Sequence, residues 1–121
     1  MSLPFYLLEI VSVGKFVAGY LQENKLILFA EPVPCDIADY CAVHRSGEFN
    51  SVLLPGQTVK IDEVEYSISA VGSVATVNLK QLGHITLSFD GAEHPELPGT
   101  VHLYGSRPQA ISAGARMTFY S

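Results

Sequence analysis

The chain has 121 residues, 48% of them hydrophobic and 16% charged, and 12 acidic residues against 7 basic ones leave a net charge of −5. That length suits one domain, residues 1–121, able to bury roughly two-thirds of its unfolded surface and to fold without disulfide or metal staples. Lys15, Lys25, Arg45, Lys60, Lys80, Arg107 and Arg116 stand singly. This scatter excludes nucleic acid as a partner, because phosphate-backbone binding needs a clustered positive footprint.

The N-terminal run MSLPFYLLEIVSVG is apolar, but it has no basic start, carries Glu9 and soon meets Gly14 and Lys15. It reads as neither a signal peptide nor a membrane span. Cys35 and Cys41 provide no disulfide framework, so the expected compartment is the reducing cytoplasm. Short runs rich in β-branched and aromatic residues then follow, separated by glycine or proline: PFYLLEIVSV, LILFA, YCAVH, TVKI, EYSISAV, HITLSF, TVHLY and ARMTFY. VATVNLKQLG breaks the pattern, placing Val74, Val77 and Leu82 near helical spacing with Ser73 as an N-cap and Gly83 as the stop. CDIADY adds a second helical turn. The prediction is an all-β, single-domain antiparallel β-barrel or β-sandwich with one or two short helices. The recurring glycine-then-strand segments PGQTVKI, PGTVHL and AGARMTF read as turn chemistry rather than as a repeat.

The stretch DYCAVHRSGEF puts His44 at the end of an apolar run, just before a polar turn. Such a position presents an imidazole at a strand mouth, partly exposed, where Arg45, Ser46 and Gly47 can donate to an anion if Gly47 takes a positive φ. A metal site built on Cys41 and His44 is disfavoured, because residues three apart on a strand point to opposite faces and a site needs three or four convergent ligands. No metal and no other cofactor is expected. There is no GxSxG, Walker or GxGxxG motif. Asp62 and Glu63 suit a solvated hairpin tip, and His94 suits a surface loop.

YCAVHRSGEF, ISAVGSVATVNLKQLGHITLSFDG and ELPGTVHLYG, in that order, resemble the glucitol/sorbitol-specific IIA component of the bacterial phosphoenolpyruvate-dependent sugar phosphotransferase system. The resemblance runs from about Asp36 to Leu103. It implies a cytoplasmic phosphocarrier domain and an enzyme of the protein-histidine phosphotransferase type. A histidine, here His44 after Tyr40 and Cys41, would accept phosphate from the phosphocarrier protein HPr and pass it to the IIB part of the IIB/IIC permease, the only tie to the membrane. The resemblance departs at Ser46, where a family member carries a second histidine.

His84 and His102 match further family histidines and are candidate assistants to His44. Glu48 or a backbone carbonyl is expected to hold one nitrogen of the His44 ring, and Nε2 at the ring tip is the nitrogen easier for a partner to reach. The alternative from a different class is a non-catalytic β-barrel ligand- or metal-binding module in which His44, His84 and His102 line one pocket.

Overall fold

A computed structural model describes residues 3–121; Met1 and Ser2, the start of the N-terminal apolar run, lie outside the described residues. The strands are β1 (Pro4–Val13), β2 (Lys25–Ala30), β3 (Ala42–Ser46), β4 (Thr58–Ile61), β5 (Val64–Val71), β6 (Ile85–Ser88), β7 (Thr100–Tyr104) and β8 (Arg116–Tyr120). They close a barrel in the order β1-β3-β2-β6-β7-β5-β4-β8. The helices are α1 (Val17–Gln22), α2 (Cys35–Ala38) and α3 (Ala75–Leu82). None among the described residues is long and apolar enough to cross a membrane.

Alternation builds the core. On β1, Tyr6, Leu8 and Ile10 are buried while Leu7 and Glu9 face out. The same alternation on the other strands fills the interior with Leu26, Leu28, Ile85, Leu87, Leu103, Met117 and Phe119.

Two expectations are corrected. The barrel is mixed, because β2–β3 and β6–β7 are parallel. Parallel neighbours need a crossover, which α2 supplies for one pair and the segment 89–99 for the other. Among the described residues there are also three helices rather than one or two: α1 has six residues, contains Gly19, lacks a side-chain cap and buries only Val17 and Leu21, so its periodicity is too brief to see in sequence. In α3 the N-cap is Val74, not Ser73, whereas Gly83 closes the helix at φ 62 as expected.

The ring has a pseudo-two-fold. In one half β1 pairs antiparallel with β3 and β3 parallel with β2; in the other, β5, β7 and β6 repeat both relations. The halves meet across β2–β6, where Leu26 faces Leu87 and Leu28 faces Ile85, and across β4–β8, where Val59 faces Phe119 and Ile61 faces Met117. Bulges fall between positions 10 and 12 and between positions 68 and 70. A left-handed residue follows the helix in each half, Asn24 at φ 65 and Gly83 at φ 62. PGQTVKI and AGARMTF, read from sequence as ordinary turns, thus carry the equivalent strands β4 and β8. Divergent side chains hide the repeat, leaving only short identities such as Val13-Gly14 and Val71-Gly72.

The repeat sets the phase of the histidines. Ile10 faces His44 as Ile68 faces Leu103, and Ser12 faces Val43 as Ala70 faces His102. Position 44 therefore corresponds to 103, and position 43 to 102. Ala-Val-His and Thr-Val-His look alike but stand one residue out of phase, which on a pleated strand sends their imidazoles to opposite faces.

Candidate functional site

His44 points into the barrel beside Ala42, flanked by Ile10 on β1 and Ala30 on β2, and is fully buried. The expected half-exposed strand mouth is corrected: β3 continues to Ser46, so the ring lies one layer inside. Its Nε2 is 2.7 Å from the carbonyl oxygen of Gly83. A carbonyl only accepts, so Nε2 carries the proton and Nδ1 keeps its lone pair. Nδ1 is buried and has no hydrogen-bond partner. Burial lowers the pKa of the ring, against the Gly83 bond, which raises it, and the imidazole stays neutral.

An orphaned buried nitrogen costs about 1–3 kcal/mol. The equivalent place in the other half is filled by Leu103, equally buried and with nothing to satisfy. Packing at this position is met by an apolar side chain in the other half, whereas the imidazole leaves one nitrogen unsatisfied.

The turn after α3 holds the ring. Gly83 is left-handed, and a Cβ on it would stand 2.9 Å from Cε1 of His44 as well as against Ala30. Only glycine lets this carbonyl come so close. The turn forms one wall of a cleft of about 530 Å³ whose other wall is Ser46 to Asn50, with Glu31 at the rim.

The remaining sequence candidates divide. Ser46 lines the cleft half-buried, and burial pushes the Tyr6 phenol up against a hydrogen bond with that serine. Arg45 points outward and pairs with Glu31, Nε to Oε1 2.7 Å. Gly47 lines the cleft but has no positive φ, and a Cβ there would meet open space, so the expected convergence of amides at this glycine is corrected. Glu48 is exposed and accepts from Asn50 Nδ2 at 3.3 Å; it does not hold the ring, and the Gly83 carbonyl does.

His84 lies on the outside of the wall. Its Nδ1 donates to the Leu28 carbonyl at 3.1 Å and its ring packs on Phe29 with centroids 4.7 Å apart. It lines an outer cleft with Tyr40 and Cys41, whose thiol burial pushes up and keeps protonated.

His102 is fully buried beneath the 89–99 segment. Its Nε2 accepts from the Glu96 amide at 3.4 Å, and Nδ1 donates to Asp90 Oδ1 at 2.8 Å. Asp90 also accepts from Ser88 Oγ at 2.9 Å and the Ala92 amide at 3.1 Å, while Lys25 donates to Ser88 at 2.8 Å. Burial raises the Asp90 pKa, but the bonds from His102, Ala92 and Ser88 outweigh it and hold the carboxyl at about 2. The motifs SFDG and PGTVH meet here as a staple for the crossover. The three histidines thus occupy three environments rather than one pocket, and among the described residues no three His, Cys, Asp or Glu side chains gather to hold a metal.

Sequence reasoning missed Gly83 as a site residue because its helix-stop role explained it fully. The signal was the adjoining alanine-sized neighbour on β2, visible only once the register is known.

These features define a small closed-barrel protein with a neutral imidazole in its wall beside a surface cleft. The chain matches the family described as PTS system glucitol/sorbitol-specific IIA component over residues 5–118, and it belongs to that family. It is 40% identical over 116 residues to the PTS system glucitol/sorbitol-specific EIIA components of Shigella flexneri and of Escherichia coli strain K12, covering 96% of this chain and 94% of each relative. The crystal structure of a PTS system IIA component from Enterococcus faecalis V583 is similar with a TM-score of 0.81 and 24% identity, covering 95% of this chain and 99% of that one. That likeness shows the shared barrel fold.

Proposed function

We propose that this phosphotransferase-system component works in the cytoplasm as a phosphocarrier whose His44 accepts a phosphoryl group from HPr and passes it to the IIB part of a glucitol/sorbitol permease. The observation that carries the proposal is the His44 ring itself: neutral, fixed on Gly83, and left with one lone pair unused where the other half of the barrel has Leu103. Transfer between protein histidines needs a neutral nucleophile, fixed geometry and donors near the moving charge, and the incoming phosphate is already activated. Ser46 and the backbone of Gly47 and Glu48 stand in the cleft as candidate donors. A ring this deep is reached through a local opening of the cleft, a motion that loop segments make at small free-energy cost.

Incubation with phosphoenolpyruvate, enzyme I and HPr is expected to place one acid-labile, base-stable phosphate on the protein, and peptide mapping is expected to find it on His44. Labelling of His44→Gln at the wild-type level overturns the assignment.

A further inference from the structure

We infer that the cleft between α1 and the segment after β7 is a second binding site, one that takes a small polyol bearing an anionic group, phosphate or carboxylate. The pseudo-two-fold locates it. Position 44 corresponds to 103, so residues 46–50 beside His44 correspond to 105–109, and these wall a separate cleft of about 490 Å³. The other walls correspond as well: Asn24 stands where the first cleft has Gly83, and Phe89 stands where it has Ala30. The fold therefore builds this cleft twice.

The two copies differ in the groups they hold. Leu103 stands where His44 does, so no nucleophile lies behind the second cleft and its chemistry is binding. Arg107 takes the place of Glu48, and no carboxylate lines the cleft although the chain carries a net charge of −5. Arg45 and Arg116 each pair with a glutamate, whereas Arg107 donates from Nη1 to Asn24 Oδ1 at 3.2 Å and forms no salt bridge among the described residues. A guanidinium with a neutral partner keeps most of its planar fork for the oxygens of an anion. Gln22, Ser106 and Gln109 line the cleft with neutral donors and acceptors, the set that hydroxyl groups require, over an apolar base of Leu21 and Phe89. The loop that brings Arg107 is held from below. Tyr66 Oη donates to the Ser106 carbonyl at 2.8 Å, and Gly105, at φ 134, lies where a Cβ would strike the Tyr66 ring. Binding therefore need not first order this wall.

The test titrates the 15N-labelled full chain with glucitol 6-phosphate, gluconate, uncharged glucitol and inorganic phosphate, following the backbone amides. Glucitol 6-phosphate or gluconate is expected to shift residues 105–109 and 22–24 with half-saturation near about 1 mM, and the tighter of the two identifies the anionic group. Glucitol and inorganic phosphate are each expected to bind about tenfold more weakly, because each lacks one half of the recognised chemistry. Arg107→Gln is expected to weaken the charged polyols about tenfold while phosphate acceptance by His44 stays at the wild-type level. Shifts confined to residues 46–50, no saturable shift with either charged polyol, or equal binding to Arg107→Gln overturns the inference. Inorganic phosphate binding as tightly as the charged polyols overturns its polyol part. None of these results bears on His44, whose labelling is measured apart.

Discussion

The two halves of the barrel each bury one histidine completely, and they use it differently. His102 spends both nitrogens, on Asp90 and on the Glu96 amide, and ties down the crossover between β6 and β7. His44 spends one nitrogen on Gly83 and leaves the other bare. At equal burial, then, exposure does not distinguish the two imidazoles, and the count of satisfied nitrogens does. The pseudo-two-fold adds an internal control, since the partner of His44 is Leu103 and the partner of His102 is Val43. Both positions accept an apolar residue in the other half, but only His102 replaces the lost hydrocarbon with a full set of hydrogen bonds.

The largest expected effect breaks the pair on function. His44→Gln is expected to lower phosphate acceptance by at least about a thousandfold, since no nucleophilic nitrogen remains, with the circular dichroism spectrum retained. His102→Gln is expected to keep acceptance within a few-fold of wild type. Single-turnover transfer from phosphorylated HPr measures both, and equal losses in the two variants would remove the distinction.

Next comes the glycine pair at the two walls of the cleft. Gly83→Ala puts a methyl group against Ala30 and His44 at a left-handed φ, and is expected to cost about 1–2 kcal/mol and to slow transfer about tenfold. Gly47→Ala adds its methyl to open space at an ordinary φ and is expected to stay within about 0.5 kcal/mol and twofold in rate. Chemical denaturation beside transfer kinetics checks both; a slow Gly47→Ala with a normal Gly83→Ala would place the critical backbone on the other wall.

A smaller effect separates the histidines by pH. The Asp90 carboxyl is held at about 2, below its ordinary 3.8, so its contribution to stability is complete above about pH 4 and is lost as pH falls from 3.8 towards 2. The melting temperature of the wild type should fall more steeply across that window than that of Asp90→Asn, and parallel curves would show that the carboxylate contributes nothing. His44 behaves oppositely in sense to a paired histidine. Its folded pKa lies below 6.5, so the unfolded chain takes up a proton first and stability declines as pH falls through 6.5. The ring meanwhile remains the free base, and phosphate acceptance should hold below pH 6.5.

Much of this architecture was legible in the chain. All eight strands follow runs of β-branched and aromatic residues, and α3 follows from VATVNLKQLG, because side-chain periodicity is local and written directly in sequence. The family was legible too, from motifs such as SFDG and PGTVH. Three things were not. Parallel pairing and the pseudo-two-fold depend on which strands meet, a non-local matter. The depth of His44 depends on where β3 stops, and the strand's continuation through Arg45 and Ser46, polar residues at a barrel end, hides that limit. The faces of the histidines depend on a one-residue phase shift between Ala-Val-His and Thr-Val-His, which similarity of letters conceals.

The smallest expected effect is the most discriminating for stability. His44→Leu makes the first half resemble the second, where Leu103 occupies the equivalent place. The change removes an orphaned nitrogen, worth about 1–3 kcal/mol, and leaves the buried Gly83 carbonyl without its partner, a cost of about the same size. These terms oppose each other, and the net change is expected to be under about 1 kcal/mol. His102→Leu has no such offset: it removes the partner of the Glu96 amide and one of the three donors to the part-exposed Asp90 carboxylate, which keeps Ser88 and the Ala92 amide, and is expected to cost about 1–3 kcal/mol. Urea denaturation of the two variants, read at equal m-value, gives the comparison directly. A His44→Leu cost as large as that of His102→Leu would make His44 a structural residue and leave the unused nitrogen without a role.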